Sequence, residues 1–226
     1  MVVIKTESEK AVDFSFMPSL KCNLSCAHCM YEAAPENESV LDFNRAKEFV
    51  ATIDLNRINS FGFYGGEISA DYDRYQKIID LTTPSIPRFT ITNGSWSRTQ
   101  AETEAFVDFA ERNCLNVFIS QTVFHRPYQN QERMNRIAEE HGYSLKGDDV
   151  IIPMGRAGRA DWDCGQRCLG YLGPMRLTMR PSGEIMFCNC DGVYPIVGSW
   201  TSDFGEAFRN GQRIEDVCPK LIGRIR

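Results

Sequence analysis

Short apolar runs alternate with amphipathic stretches through the first two thirds of the chain. Val12-Asp13-Phe14-Ser15-Phe16 alternates apolar and polar positions and predicts a strand, which runs into Pro18 and a cysteine-rich loop. Leu41, Ala46, Phe49, Val50 and Ile53 recur near helical spacing and predict an amphipathic helix over 41–53. The apolar run Phe61-Gly62-Phe63-Tyr64 predicts a strand ending at Gly65-Gly66, followed by a helix over 72–81. Phe89-Thr90-Ile91-Thr92 predicts the next strand, closed by the turn pair Asn93-Gly94, and a helix follows over 100–112. A strand over 116–120, a helix over 129–141 and a strand over 150–152 complete the series. Strands alternating with helices of this length predict βαβ units and a parallel sheet, with five strands recognisable before about residue 155.

Beyond that point the pattern changes. Gly, Pro and Cys become frequent, helical periodicity fades, and 176–187 reads as a hairpin turning at Pro181-Ser182-Gly183. The expected organisation is therefore an α/β barrel-like part over 1–155 and a small cysteine-rich β-hairpin module over 156–226. No internal repeat or low-complexity segment is evident.

Composition narrows the class. A chain of 226 residues with 42% hydrophobic and 24% charged residues can bury a core, which excludes wholesale disorder and a coiled-coil rod. No apolar run approaches the ~18 residues of a membrane span. The first ten residues carry charges where an export signal needs an apolar stretch, so a cytoplasmic protein is expected. Thirty acidic against 25 basic residues give a net charge of −5, and the basic residues are scattered. Nucleic-acid binding draws on basic stripes for phosphate neutralisation, so that partner is disfavoured. Nine cysteines without an export signal point to metal binding rather than disulfides.

Cys22, Cys26 and Cys29 place three thiols within eight residues, directly after a predicted strand. Three thiolates on one loop can fill three corners of a 4Fe–4S cube and leave one iron without a protein ligand. Zinc is the alternative occupant, in a Cys3His site drawing on His28, although His28 stands immediately beside Cys29, where joint ligation of one ion is strained.

The spacing Cys22-x3-Cys26-x2-Cys29 resembles the signature of the radical S-adenosylmethionine (radical SAM) superfamily. Three further segments resemble family motifs in the family's order on predicted strand ends: Gly65-Gly66-Glu67, Thr92-Asn93-Gly94, and Pro153-Met154-Gly155-Arg156-Ala157. The resemblance covers roughly residues 12–160 and implies a partial (β/α) barrel of TIM type, six-stranded or shortened. Only 32 residues lie between Ser120 and Pro153, where many relatives fit one more βα unit, so either the barrel is trimmed or one strand carries no sequence signal.

The resemblance also implies chemistry. A 4Fe–4S cluster on Cys22, Cys26 and Cys29 would bind SAM through its open iron and reduce it to a 5′-deoxyadenosyl radical, the protein supplying placement and exclusion of water. Gly65, Gly66 and Glu67 would meet the methionine end of SAM, with Glu67 an acceptor near its ammonium group. His28 occupies the position where the family usually carries an aromatic ring against adenine. Asn93, Ser120 and Arg156 are further expected cofactor contacts. Thr122 stands where the family often has Asp two residues after Ser120. His125 offers a near-neutral pKa for acid–base work or a structural hydrogen bond; no catalytic residue is assigned.

Five cysteines follow: Cys164, Cys168, Cys188, Cys190 and Cys218. Their spacing resembles the auxiliary-cluster pattern of SPASM and twitch domains, implying one auxiliary 4Fe–4S cluster on Cys164, Cys168, Cys188 and Cys218, with Cys190 surplus or substituting for Cys218. A structural zinc ribbon is the alternative. Cys114 reads as a buried small apolar side chain. The expected function is hydrogen-atom abstraction from a peptide, giving oxidation, a crosslink or an epimer, or from a small polar metabolite such as an amino sugar or nucleoside. The resemblance implies a flavodoxin- or ferredoxin-type electron donor. A non-catalytic Fe–S or zinc scaffold or redox sensor is the rival class.

Overall fold

The structure is a computed structural model that describes residues 12–147, 156, 175–187 and 196–217, with side chains in the last segment to 213. Among the described residues eight strands form one sheet, in the order β5-β4-β3-β2-β1-β6-β7-β8. These are β1 (Val12–Phe16), β2 (Ile58–Phe63), β3 (Arg88–Thr92), β4 (Leu115–Ser120), β5 (Ser144–Lys146), β6 (Met175–Met179), β7 (Glu184–Phe187) and β8 (Ile196–Ser199). Pairing is parallel from β5 through β6 and antiparallel from β6 to β8.

The helices α1 (Phe43–Val50), α2 (Tyr72–Ile79), α3 (Gln100–Arg112) and α4 (Gln131–His141) are the crossovers between parallel strands, and α5 (Phe204–Val217) follows β8. Each predicted helix is found, and the caps set its ends. Asp42 accepts the Arg45 N–H at 2.9 Å, so α1 begins at 43 rather than 41. Asn130 does the same for the Arg133 N–H at 3.0 Å, starting α4 at 131. Thr99 caps α3: its Oγ1 accepts the Glu102 N–H at 3.2 Å and donates to Glu102 Oε2 at 2.8 Å.

One sheet face carries the core. Val12, Phe14, Phe16, Phe61, Phe63, Val117 and Ile119 pack against Phe49, Ile79, Phe106 and Ile137 of the helices. Phe204 of α5 reaches the same core, its ring centroid 6.2 Å from that of Phe14. Because β6 pairs with β1 in register, described residues on both sides of the expected 155/156 boundary share one sheet and one core. The predicted hairpin is present as β6–β7, turning at Gly183 with φ +84.

Two expectations need adjustment. β5 carried no sequence signal, since it has three residues and none is buried; it supplies the strand that the spacing after Ser120 left open. The predicted strand over 150–152 lies outside the described residues. Cys114 is exposed, not buried: it adopts φ +52 between α3 and β4 and lines an open cavity of about 430 Å³ with Glu111, His141 and Tyr143. That backbone turn swings the side chain outward, which no apolar pattern reports. Among the described residues, no helix is long and apolar enough to cross a membrane.

Candidate functional site

The C-terminal ends of β1 to β4 converge on the cysteine loop. The chain leaves β1 at Phe16, and Ser19 and Lys21 make isolated bridges to Val40 and Ala34 that fold 19–40 back on itself. The Cys22 N–H donates to the Ala34 carbonyl at 3.0 Å, and the Cys29 N–H donates to the Cys26 carbonyl at 3.1 Å. The loop thus has a fixed backbone before any ligand is considered.

Gly65 and Gly66 dock the end of β2 against this loop. The Gly66 N–H donates to the Ser19 carbonyl at 2.8 Å and the Glu67 N–H to the Lys21 carbonyl at 3.0 Å. A Cβ on Gly66 would stand 1.9 Å from the Lys21 carbonyl oxygen, and Gly65 holds φ +136. Both glycines are therefore required by the loop's own packing.

Glu67 is 1% exposed, and its carboxylate ties the β2 end to the β3 end. Oε1 accepts from Thr92 Oγ1 at 2.6 Å, Ser69 Oγ at 2.9 Å and the Ser69 N–H at 3.3 Å. Oε2 accepts the Asn93 N–H at 2.8 Å. Burial pushes its pKa up, and these hydrogen bonds oppose the shift. Thr92 Oγ1 in turn accepts the indole N–H of Trp96 at 3.1 Å, and the Trp96 ring stacks on Phe106 in the core.

Asn93 bridges back to the cysteines. Its Nδ2 donates to Asn23 Oδ1 at 3.0 Å and to Cys22 Sγ at 3.8 Å, while the Leu24 N–H points at the same sulfur at 3.4 Å. Burial pushes the Cys22 thiol up to about 12 and the Cys26 thiol to about 11, so both are protonated in the metal-free chain at neutral pH. Arg156 closes the loop from the other side. Its N–H donates to the Cys29 carbonyl at 3.1 Å, its Nε to the Cys26 carbonyl at 2.9 Å, and its guanidinium reaches the Ala33 carbonyl.

The His28 ring stacks on Phe124 with centroids 4.3 Å apart at 16°, and its Nδ1 is buried without a hydrogen-bond partner. His125 lies edge-on to His28 at 4.9 Å. Burial and the neighbouring His28 hold the His125 pKa down to about 4, against a hydrogen bond to the Ser120 backbone. Burial, with Arg156 nearby, also lowers that of His28. Ser120 enters through its carbonyl, which accepts Gln129 Nε2 at 2.7 Å; the same nitrogen reaches the Asn93 carbonyl at 2.6 Å and clamps the β3 and β4 ends.

The structure therefore gathers Cys22, Cys26, Cys29, His28, Gly65, Gly66, Glu67, Asn93 and Arg156 around one loop, with Ser120 on the adjoining strand end. Cys164, Cys168, Cys188, Cys190 and Cys218 lie outside the described residues. Phe124, Asn23 and Gln129 were not expected from sequence: each is a loop residue whose contact comes from far along the chain, so no periodicity marks it. The same holds for a chain of rings on the open sheet face. Tyr31, Tyr64, Phe89 and Phe118 follow one another at 6.2, 6.3 and 5.9 Å, and Lys146 Nζ stands 5.3 Å from the Phe118 centroid. Gly62 makes room for the Phe89 ring, which a Cβ would meet at 2.5 Å.

The parallel part of the sheet carries three cysteines on the loop after its first strand and a Gly-Gly-Glu turn docked on that loop, the order in which the motifs resemble those of the radical SAM superfamily. The resemblance seen in the motifs thus extends to the fold. The chain is similar to the putative peptide biosynthesis protein YydG of Bacillus subtilis (strain 168), 28% identical over 142 residues, or 61% of this chain and 43% of that one. It thus spans less than half the length of that curated relative. Among solved structures, BtrN in complex with AdoMet and 2-DOIA matches with a TM-score of 0.66 at 10% identity, covering 94% of this chain and 88% of that one. Native anSMEcpe with bound AdoMet and Cp18Cys peptide matches with a TM-score of 0.55 at 13% identity, covering 90% and 82%. No family model matches the chain.

Proposed function

We propose that this protein is a radical SAM enzyme that abstracts a hydrogen atom from a peptide substrate. The observation that carries the reading is the Cys22 sulfur: two donors, the Leu24 N–H and Asn93 Nδ2, point at it from a loop whose backbone is already fixed. Such donors fit a thiolate that ligates a cluster, and hydrogen bonds to the sulfurs tune a cluster's potential. Cys22, Cys26 and Cys29 would hold a 4Fe–4S cluster, which with SAM supplies one-electron cleavage of the sulfonium bond.

The chain's own residues bind and orient. Glu67 Oε2 accepts one hydrogen bond and keeps a lone pair for the SAM ammonium group. His28, backed by Phe124, offers a flat ring to the adenine. Gly65, Gly66, Asn93, Ser120 and Arg156 shape the remainder of the pocket. The run Tyr64, Phe89 and Phe118, with Ile91 beside it at 41% exposure, forms an apolar floor on the open face that would take an apolar side chain and exclude water. Its apolar character and the likeness to a protein named for peptide biosynthesis favour a peptide over a polar metabolite.

Cys164, Cys168, Cys188 and Cys218 would hold an auxiliary 4Fe–4S cluster in the 156–226 segment, with Cys190 the surplus or alternative ligand, and a flavodoxin- or ferredoxin-type protein would deliver the electron. The spacing of these cysteines beside the β6–β7 hairpin supports the first assignment. The test is release of 5′-deoxyadenosine from SAM by the reconstituted, chemically reduced protein. Release by wild type and none by Cys26→Ala is expected, with faster release on adding an apolar peptide than on adding an amino sugar. SAM left intact by a fully iron-loaded protein would overturn the reading, and stimulation by the amino sugar alone would overturn the peptide assignment.

A further inference from the structure

The cysteine loop meets one further imidazole, that of His125, from about one hundred residues along the chain. After β4 the chain turns tightly, the His125 N–H donating to the Thr122 carbonyl at 3.0 Å, and this turn brings the His125 ring onto His28. One donor atom each from Cys26, His28 and His125 all lie within 4.8 Å of one another. The second observation is independent of that spacing: His28 Nδ1 is buried and has no hydrogen-bond partner, a state that native interiors seldom leave without a ligand or an ion. Cys29, the immediate neighbour of His28, is not part of the group.

We propose that, before any cluster is present, Cys26, His28 and His125 bind a single divalent cation of the zinc type, and that this ion and the cluster exclude one another because both need Cys26. The exclusion rests on the reading of Cys26 as a cluster ligand; the ion site itself does not. One thiolate and two imidazoles are a borderline donor set that suits zinc, with a water completing four-coordination. Zn–S near 2.3 Å and Zn–N near 2.0–2.1 Å put tetrahedral donors roughly 3.5 Å apart, so side-chain rotations draw the three atoms in without backbone movement. Binding replaces the Cys26 S–H proton, which passes to solvent, and involves no change of oxidation state. The consequence is a gate on maturation: a chain holding zinc takes up iron and sulfide only after the ion leaves.

The experiment titrates the full, metal-free chain anaerobically with Co²⁺ and with ¹¹³Cd²⁺, counting bound ions and reading sulfur and nitrogen ligation from the charge-transfer bands and the cadmium resonance. The C-terminal cysteines contribute equally to every chain compared, so differences carry the result. His125→Ala is expected to bind one ion fewer than wild type and to lose the one-sulfur signal, whereas Cys22→Ala keeps both. His125→Cys guards against a folding defect: it keeps the ion and moves the resonance toward two sulfurs. Zinc-loaded wild type should take up iron more slowly than zinc-treated His125→Ala. Equal ion counts in wild type and His125→Ala, or loss of the signal in Cys22→Ala, would overturn the proposal. An ion site without SAM cleavage would sink only the radical enzyme reading, and SAM cleavage without an ion site only this one.

Discussion

The carboxylate of Glu67 accepts the backbone N–H of Asn93 at 2.8 Å, and this one contact joins the Gly-Gly-Glu turn after β2 to the Thr-Asn-Gly turn after β3. Since Asn93 then reaches Cys22 through its side chain, the carboxylate positions a sulfur that it does not touch. Glu67→Gln keeps the shape but offers an amide N–H where Asn93 also donates. A buried unsatisfied donor costs ~1–3 kcal/mol, so urea denaturation should show a loss of that order. Ser69→Ala, which removes one of three donors to the other oxygen, should cost less.

The same buried carboxylate sets a pH dependence. Burial raises its folded pKa above the unfolded value, so the folded state holds an extra proton between the two values. Its contribution to stability is therefore fully present below the ordinary carboxylate pKa and is lost as pH rises through the folded value. His125 works in the opposite sense. Its folded pKa of about 4 lies below the ordinary imidazole value, so stability is lost as pH falls from that value through about 4. In the metal-free chain, the urea midpoint of His125→Ala should fall less over the acid range than that of wild type; parallel curves would refute the assignment.

Gly66→Ala tests the docking of the turn on the cysteine loop. The new methyl would stand 1.9 Å from the Lys21 carbonyl oxygen, inside any tolerable contact, and that oxygen is backbone. Overpacking of this kind costs about 1–3 kcal/mol, and the relief available is displacement of Lys21, next to Cys22. The expected result is a lower Tm and a reduced iron content on reconstitution. Gly147→Ala, where a Cβ meets nothing within 4 Å and the backbone is not left-handed, is the comparison for a methyl added in open space.

The His28–Phe124 stack is already formed in the chain without SAM, so it holds the His28 ring in place before the cofactor arrives. An aromatic pair is worth ~0.5–1.5 kcal/mol beyond its buried area. Phe124→Ala should therefore lower stability by about that amount in urea denaturation and, by freeing the His28 ring, weaken SAM binding in calorimetric titration of the reconstituted protein. His28→Phe should restore most of the affinity that His28→Ala loses.

Most of this arrangement was legible in the sequence where local physics fixes it. The alternation of apolar Val12, Phe14 and Phe16 with buried but polar Asp13 and Ser15, and the helical spacing of Ala46 and Phe49, marked strand and helix, because an apolar face repeats with its element's period. The Cys22–Cys29 spacing and the Gly65-Gly66-Glu67 turn marked the site because they act within a few residues. β5 escaped since three residues, none of them buried, carry no period. Cys114 was misplaced because its exposure follows from a φ of +52 rather than from its polarity. The Phe124 stack and the approach of His125 depend on a turn about one hundred residues from the loop they touch, and only the folded sheet brings those segments together.

The most direct test of the central claim is the electron paramagnetic resonance spectrum of the reduced, reconstituted protein before and after adding SAM, with wild type beside Cys26→Ala. The account predicts a 4Fe–4S signal in wild type that changes shape when SAM binds the open iron, and in Cys26→Ala a signal that SAM leaves unmoved, with iron content lower by about four per chain. A wild-type protein that retains zinc instead of iron, or whose cluster signal is indifferent to SAM, would contradict it.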